Sequence, residues 1–321
     1  MKKWLALAVT TVAALTILAG CQKQDSTTKE SAEKGASENK VEKIRLGVMP
    51  STDNIPFILA HDEGMDKKNG VDLDVKVFKS ALDRDAAFQA GELDGIITDL
   101  VGVAIYKEAG NDVKIVGAPH DQFDLVVSDD VTSIADLKGK PVVFSERTGT
   151  AYAVNKMLEA ENMTVDDIVV KEIPQVPTRL ELLKNGQVSG AILPEPFITI
   201  GKSQGLKVLS STRDLGINPF AIVFNGEVIK EKGDAIRGMF ESYNDGVAYI
   251  QSHDKADYID LFVKEVGFPE AMKETIEIPE YGALEQVKQS DIESVFEFAK
   301  DEGLLTKEVS PEEVLSNVYF K

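Results

Sequence analysis

The chain has 321 residues, of which 43% are hydrophobic and 28% charged, and its formal net charge is −19. That length predicts about two domains with a large buried core. The acidic balance argues against nucleic acid as a partner, because phosphates need a basic patch, and against adhesion to anionic lipid through a polybasic face. It is compatible with a monomer at a cell surface.

The content of metal-ligating residues is low. Cys21 is the only cysteine, and the three histidines are far apart in the sequence. A disulfide within the chain and a multi-cysteine metal site are therefore impossible. We expect neither a metal nor a cofactor, with a site built from carboxylates as the alternative.

The amino-terminal end has the layout of a secretory signal. Lys2 and Lys3 precede an apolar run, Trp4 to Gly20, which is short for a membrane span. The run ends in Leu-Ala-Gly-Cys, the pattern of a bacterial lipobox, in which the signal is cut before a cysteine that then carries lipid. We predict a signal peptide over residues 1–20, lipidation of Cys21, and a disordered tether over residues 21–42, which lacks aromatic side chains. The protein would then be anchored at the extracytoplasmic face of a cell membrane, in a Gram-positive bacterium.

Strand and helix patterns alternate from residue 43 onward. Predicted strands cover residues 43–49, 71–78, 95–98 and 113–117, and predicted helices cover 56–64, 84–90 and 101–109. This alternation predicts a mostly parallel sheet with helices on its faces, and ligands bind such sheets beyond the carboxyl ends of the strands. Small or polar residues occupy those ends: Ser51, Thr52, Asp53, Asn54, Ser80, Ala81, Asp99 and His120.

A second α/β unit of the same kind follows. Its predicted strands are 124–128, 142–144, 168–173, 189–193 and 206–209, and its predicted helices are 133–137, 151–160, 178–185 and 198–203. In its centre a short apolar strand feeds a helix through a Ser/Thr/Gly turn, Ser145 to Thr150. Such a turn presents backbone N–H groups and hydroxyls at the positive end of a helix, which suits either a polar or anionic ligand or an ordinary N-cap.

The last third of the chain is mainly helical. An apolar run at residues 219–225 would carry the chain back to the first unit, and a long amphipathic helix with an apolar stripe follows it. Further helices are predicted at 255–266, 291–302 and 311–317. We therefore predict an α/β protein of two hinged lobes, with lobe I formed by residues 43–121 and 215–321 and lobe II by residues 122–214.

Several phrases resemble the substrate-binding proteins of ABC importers. They are A-G-E-L-D-G at 90–95, S-I-A-D-L-K-G-K at 133–140, the turn at 145–150 and L-P-E-P-F at 193–197, in that order after the lipobox. The subgroup that they resemble binds aliphatic sulfonates, taurine, nitrate and thiamine pyrimidine precursors. The resemblance implies a type II periplasmic-binding-protein-like fold, with a ligand cleft between the lobes and a helical C-terminal tail. It also implies that a small solute closes the lobes, and that the closed form docks on a permease that works with an ATPase.

The resemblance also assigns the ligand-binding residues, and none of them is catalytic. They are Ser51, Asp53, Asn54, Ser80, Ala81, Asp99 and His120 in lobe I, and Ser145, Thr148, Gly149, Thr150, Tyr152 and Glu195 in lobe II. Several have a structural alternative: Asp99 and the Ser145–Thr150 turn could cap helices, Glu195 could shape its own loop, and His120 could belong to a hinge.

The charge of these residues bears on the ligand. Asp53, Asp99 and Glu195 outnumber the nearby Arg147, and unpaired carboxylates repel a small oxyanion. We therefore favour a thiamine pyrimidine precursor or related heterocycle over a sulfonate, taurine or nitrate. An enzymatic function has little support. Ser145 and His120 could form a catalytic Ser–His pair, but no nucleophile-elbow spacing accompanies them. A sensor that binds without transport stays open.

Overall fold

The computed structural model describes residues 41–320. The predicted signal peptide, the lipidation site Cys21 and all but the end of the predicted tether lie outside the described residues. The described chain contains ten strands: β1 Glu42–Val48, β2 Val71–Val77, β3 Gly95–Asp99, β4 Val113–Gly117, β5 Asp124–Val127, β6 Pro141–Phe144, β7 Val169–Glu172, β8 Gly190–Leu193, β9 Lys207–Ser211 and β10 Phe220–Asn225.

Helices connect and cover these strands. They are α1 Ile55–Asp62, α2 Met65–Lys68, α3 Ala81–Gln89, α4 Leu100–Glu108, α5 Gly149–Glu159, α6 Val176–Lys184, α7 Phe197–Ser203, α8 Gly226–Ser252, α9 Ile259–Leu261, α10 Gln289–Asp301 and α11 Pro311–Val314. No helix in residues 41–320 is long and apolar enough to span a membrane.

The strands form two five-stranded sheets, one in each lobe. Lobe I has the order β2-β1-β3-β10-β4, and lobe II has the order β7-β6-β8-β5-β9. In each sheet four strands run the same way and one runs against them: β10 in lobe I and β5 in lobe II. The predicted α/β fold with two mostly parallel sheets is confirmed, and the apolar run at 219–225 returns to lobe I as its antiparallel strand.

The local sequence explains most elements. In β2, Val71 and Leu73 alternate with aspartates and are buried, as the period of two requires. The α8 stripe that includes Ile236, Phe240 and Tyr243 is buried against lobe I, as its three- and four-residue spacing predicts.

One helix prediction is wrong. Residues 255–266 form not one helix but a 3-10 turn at Lys255–Asp257, the short helix α9 and a wide turn at Phe262–Val266. Tyr258, with φ −136°, interrupts the helical backbone, and its side chain is buried in the lobe I core. Burial of that side chain overrides the helical spacing of its neighbours.

Apolar contacts also join the lobes on one side. A single cluster of buried side chains runs from α4 of lobe I to α5 of lobe II and includes residues of α10. The aromatic ring of Tyr152 in α5 packs edge-on against Phe298 in α10, with 5.6 Å between centroids. The space between the lobes therefore opens away from the α4–α5 contact.

Candidate functional site

A cavity of about 740 Å³ lies between the two lobes. Both chain segments that cross between the lobes, after β4 and after β9, contribute to its wall. Hydrogen bonds tie these crossing segments together: Phe123 N–H donates to Thr212 Oγ1 (3.0 Å), and Asn218 Nδ2 donates to the Pro119 carbonyl (2.9 Å). The remaining wall comes from the turn before α1, from Glu195 and α7, and from residues 268–291.

Asp53 occupies the buried side of this cavity. It lies in a single 3-10 turn, Thr52–Asn54, that joins β1 to α1, and its N–H donates to Ser51 Oγ at 3.1 Å. The side chain is 5% exposed, and its Oδ2 accepts no hydrogen bond from the described residues. Burial raises the pKa of Asp53 to about 7, against the attraction of Arg213 and a hydrogen bond from the His120 N–H.

Asp121, in the first crossing segment, faces the same cavity. Burial, reinforced by the negative charge of Asp53, raises its pKa well above the ordinary value. The Gln122 N–H (2.8 Å) and the Ser51 hydroxyl donate to it and oppose that shift. Asp53 and Asp121 therefore resist carrying two negative charges together.

Glu195 brings a third carboxylate from lobe II. It precedes a cis proline in the loop from β8 into α7. Its oxygens accept from the Thr199 N–H (3.1 Å) and Thr199 Oγ1 (2.9 Å), and burial raises its pKa. Glu195 therefore both shapes its own loop and lines the cavity, so the two interpretations of this residue are compatible.

The buried charges of the wall are acidic, whereas its exposed part carries both signs. Its cations are Lys202, Arg213 and Lys288, and all three are exposed. Asp53 and Asp291, by contrast, are buried acids of the same wall. The deep part of the cavity therefore has a negative potential that its rim cations do not neutralise at close range.

The structure brings five of the predicted ligand residues to this region. Asp53, His120 and Glu195 line the large cavity, and Ser51 and Asn54 line a small adjoining cavity that also contacts Asp53. The His120 ring nitrogen Nε2 lies 2.9 Å from the Ala283 carbonyl, so this side chain links a crossing segment to the 268–291 wall.

Three predicted residues at the ends of β2 and β3 do not line either cavity. Ser80 caps α3 by accepting from the Asp83 N–H at 3.2 Å, and Ala81 is the first residue of that helix. Asp99 caps α4 through the Gly102 N–H at 2.9 Å, and burial raises its pKa. Ser80 and Asp99 therefore both act as helix caps.

The predicted turn of lobe II also lies outside the cavity wall. Thr148 Oγ1 and Thr150 Oγ1 both donate to the Ser145 carbonyl, at 3.1 and 3.0 Å, and Ser145 Oγ donates to Glu172. The Gly149 N–H donates across to Asp99 of lobe I, which places the first turn of α5 against the first turn of α4. The Tyr152 hydroxyl lies 3.0 Å from Ser294 Oγ, in the apolar contact between the lobes.

Sequence reasoning missed important residues of the wall. Arg213 lies in the second crossing segment, where it also donates to the His120 carbonyl at 3.3 Å. Tyr281, from the C-terminal part of the chain, donates its hydroxyl to the Thr52 carbonyl at 2.8 Å. Neither residue belongs to a periodic pattern or a motif, so no sequence signal could have identified them. Asp121, which directly follows His120, could have been predicted as one more acid at the end of a strand.

One group of potential metal ligands converges elsewhere. His61, Asp66 and Asp72 offer ligand atoms within 4.8 Å of one another. Both Asp66 oxygens, however, already accept hydrogen bonds, from the Lys67 and Leu73 N–H groups, and Oδ2 also lies 2.7 Å from His61 Nδ1. These contacts fix the turn between α1 and β2, and none of these three side chains lines the cavity.

A known protein family matches most of this chain. A sequence model described as the NMT1-like family matches residues 37–261, which is more than half of the chain. The chain belongs to the NMT1-like family. The family resemblance read from the sequence motifs is therefore confirmed.

Relatives of this NMT1-like chain include named binding proteins. A Brucella abortus (strain 2308) protein named as a binding protein is 27% identical over 190 residues, covering 56% of this chain and 58% of its own length. The chain thus spans little more than half the length of that relative. A Brachyspira hyodysenteriae protein named as an ABC transporter periplasmic binding protein is 23% identical over 249 residues, covering 70% of this chain and 67% of its own length.

Solved structures share the fold of the NMT1-like chain. The periplasmic aliphatic sulphonate binding protein SsuA from Escherichia coli superposes with a TM-score of 0.71 at 18% identity, covering 85% of this chain and 91% of SsuA. The nitrate-binding protein NrtA from Synechocystis gives 0.68 at 14% identity, with 87% and 88% covered. The desulfurization enzyme DSZB gives 0.61 at 13% identity, with 85% and 95% covered. The fold is that of periplasmic binding proteins, and an enzyme also uses it.

Proposed function

We propose that the protein is the extracytoplasmic solute-binding component of an ABC importer. The family membership and the fold support this role, and the observation that carries it is the cavity between the lobes, with both crossing segments in its wall. A cavity placed at the hinge changes shape when the lobes move, so a bound solute can select one arrangement of the lobes. The permease and its ATPase would recognise that arrangement.

The cavity favours a small organic solute with hydrogen-bond donors. Its wall offers the buried carboxylate of Asp53 and the half-buried carboxylates of Asp121 and Glu195, which accept hydrogen bonds and, when ionised, repel oxyanions. We therefore favour a thiamine pyrimidine precursor or a related heterocycle. A sulfonate, taurine or nitrate is the alternative, since SsuA and NrtA are named for such ligands.

The predicted residues outside the cavity wall remain ligand candidates only for a different arrangement of the lobes. They are Ser80, Ala81, Asp99, Ser145, Thr148, Gly149, Thr150 and Tyr152. Because the Gly149 N–H already donates to Asp99, a solute would come between Asp99 and the start of α5 only if α4 and α5 separated. The proposed lobe boundaries follow the two crossing segments, with lobe I as residues 43–121 and 215–321 and lobe II as 122–214.

Transport rather than catalysis is the proposed role. DSZB shows that the fold also supports an enzyme, but relatives of this chain are named as binding proteins, which favours transport. We further propose that lipid on Cys21 anchors the protein to the outer face of the membrane. Replacement of Cys21 by serine should release the protein from the membrane fraction, and unchanged membrane retention would contradict the anchor.

Calorimetric titration tests the ligand class. The processed protein is titrated with 4-amino-5-hydroxymethyl-2-methylpyrimidine and, separately, with taurine, ethanesulfonate and nitrate. Binding of the pyrimidine supports the proposed ligand class, and binding of the sulfonates alone contradicts it. Native mass spectrometry of protein purified without refolding identifies the solute that accompanies it from the cell.

A further inference from the structure

The deep side of the cavity carries a carboxylate oxygen without a partner. Asp53 Oδ2 accepts no hydrogen bond from residues 41–320, and the Asp53 side chain is 5% exposed. A buried carboxylate oxygen without a donor is costly, so such groups are normally paired in folded proteins. This oxygen is covered in the present arrangement of the lobes, but Asp53 lines both the large and the small cavity, so a small rotation of its carboxylate would let a solute in that space supply the donor.

Within residues 41–320, no cation forms an ion pair with Asp53. Arg213 attracts Asp53, but its side chain is exposed and its hydrogen bond goes to the His120 carbonyl. Asp121 and Glu195, which line the same wall, add negative charge instead. A positively charged group on the solute would stabilise the ionised form of those carboxylates that it contacts.

A metal ion fits this wall poorly. Within the part of the chain that the structure describes, the ligand atoms that converge within 4.8 Å belong to His61, Asp66 and Asp72, outside the cavity. The three cavity carboxylates do not form such a converging group. Their separation suits an extended solute with several donors better than one small ion.

Two buried aromatic rings complete the environment. Phe268 and Tyr281 line the cavity and are 4% and 6% exposed. The Tyr281 hydroxyl is committed to the Thr52 carbonyl, so this residue offers the solute its ring rather than its hydroxyl. Aromatic faces beside carboxylates favour organic cations, which bind through both attractions.

We propose that the solute is an organic cation whose positively charged group lies against Asp53 and Asp121, with Glu195 of lobe II as a further acceptor. This inference rests on the proposed solute-binding role and adds the charge of the solute to it. Because Asp53 belongs to lobe I and Glu195 to lobe II, one cation in contact with both would draw the lobes together.

A pair of probes that differ in charge but little in shape tests the proposal. The processed full chain is titrated calorimetrically, slightly above neutral pH, with 4-amino-5-aminomethyl-2-methylpyrimidine and with its neutral hydroxymethyl counterpart. We expect the aminomethyl compound to bind at least about tenfold more tightly than the hydroxymethyl compound, because its ammonium group forms a charge-assisted hydrogen bond that the neutral compound lacks. Asp53→Asn and Asp121→Asn should each remove most of that preference.

Asp129→Asn is the matched control, because Asp129 is exposed and lies outside the cavity wall. It removes the same charge from the molecule and should retain the preference for the cation. Equal or tighter binding of the neutral pyrimidine, or a preference that survives in Asp53→Asn, overturns the cation inference while the solute-binding role stands. Binding of sulfonates or nitrate with neither pyrimidine overturns both.

Discussion

Replacement of Asp53 by asparagine should stabilise the folded protein in neutral and alkaline solution. Burial raises the pKa of Asp53 from 3.8 to about 7, so ionisation of this side chain opposes folding. Asparagine keeps an oxygen for the His120 N–H and carries no charge. The substitution therefore removes an electrostatic cost of the site and leaves the backbone turn around residues 52–54 in place.

The magnitude follows from linkage between protonation and folding. A folded pKa about 3 units above the unfolded value corresponds to about 4 kcal/mol at about pH 8, an upper bound because Asp53 titrates together with Asp121. The folded state holds its proton more tightly, so the stability that Asp53 contributes is complete below pH 3.8 and is lost as the pH rises through about 7. We expect Asp53→Asn to gain about 2–4 kcal/mol at about pH 8 and almost nothing at about pH 4.

Urea unfolding followed by far-ultraviolet circular dichroism measures this difference. Wild type, Asp53→Asn and the control Asp129→Asn are compared at both pH values without added solute. A variant that is no more stable than wild type at the higher pH, with the same dependence on pH, would refute the raised pKa and the electrostatic argument built on it. The control should follow wild type within about 0.5 kcal/mol, as surface substitutions generally do.

Two further substitutions test contacts outside the cavity. Gly149→Ala should destabilise the protein by about 1–3 kcal/mol, because the added Cβ would lie 2.8 Å from Asp99 Cβ, whereas Gly233→Ala, whose nearest atom is 3.5 Å away, should not. Equal stability of these two variants in urea would contradict the tight α4–α5 contact. Asp94→Asn should cost about 2 kcal/mol at neutral pH: burial alone would raise the pKa of Asp94, but the hydrogen bonds from Arg45 and Lys232 together with the Lys232 charge outweigh it and hold that pKa at about 2. That loss should vanish as the pH falls through about 2, and acid unfolding curves that stay apart there would contradict it.

Much of the fold follows from local patterns. The predicted strand at residues 113–117 coincides with β4, and the apolar stripe of α8 is buried as its spacing requires. These patterns are readable because side-chain direction repeats every two residues in a strand and every 3.6 in a helix. The segment at 255–266 could not be read in the same way, because burial of Tyr258 decides its backbone.

The candidate site was only partly predictable, for a physical reason. Asp53, His120 and Glu195 could be proposed as site residues from the sequence, because the ends of parallel strands meet at one edge of a sheet. The turn from Ser145 to Thr150 was ambiguous, because a helix cap and an anion site share one local pattern. Only the packing of α5 against α4 assigns the Gly149 N–H to Asp99, while the Thr150 N–H donates to Thr148 Oγ1 within the turn.

The sequence by itself determined the two α/β units, the acidic character of the strand ends and the family. Tertiary structure decided which of those acids share a cavity, and it added Arg213 and Tyr281 from distant parts of the chain. The reason lies in the range of the forces involved. Hydrophobic periodicity and helix capping act between near neighbours, whereas the pKa of Asp53 depends on water excluded by segments that meet it only after folding.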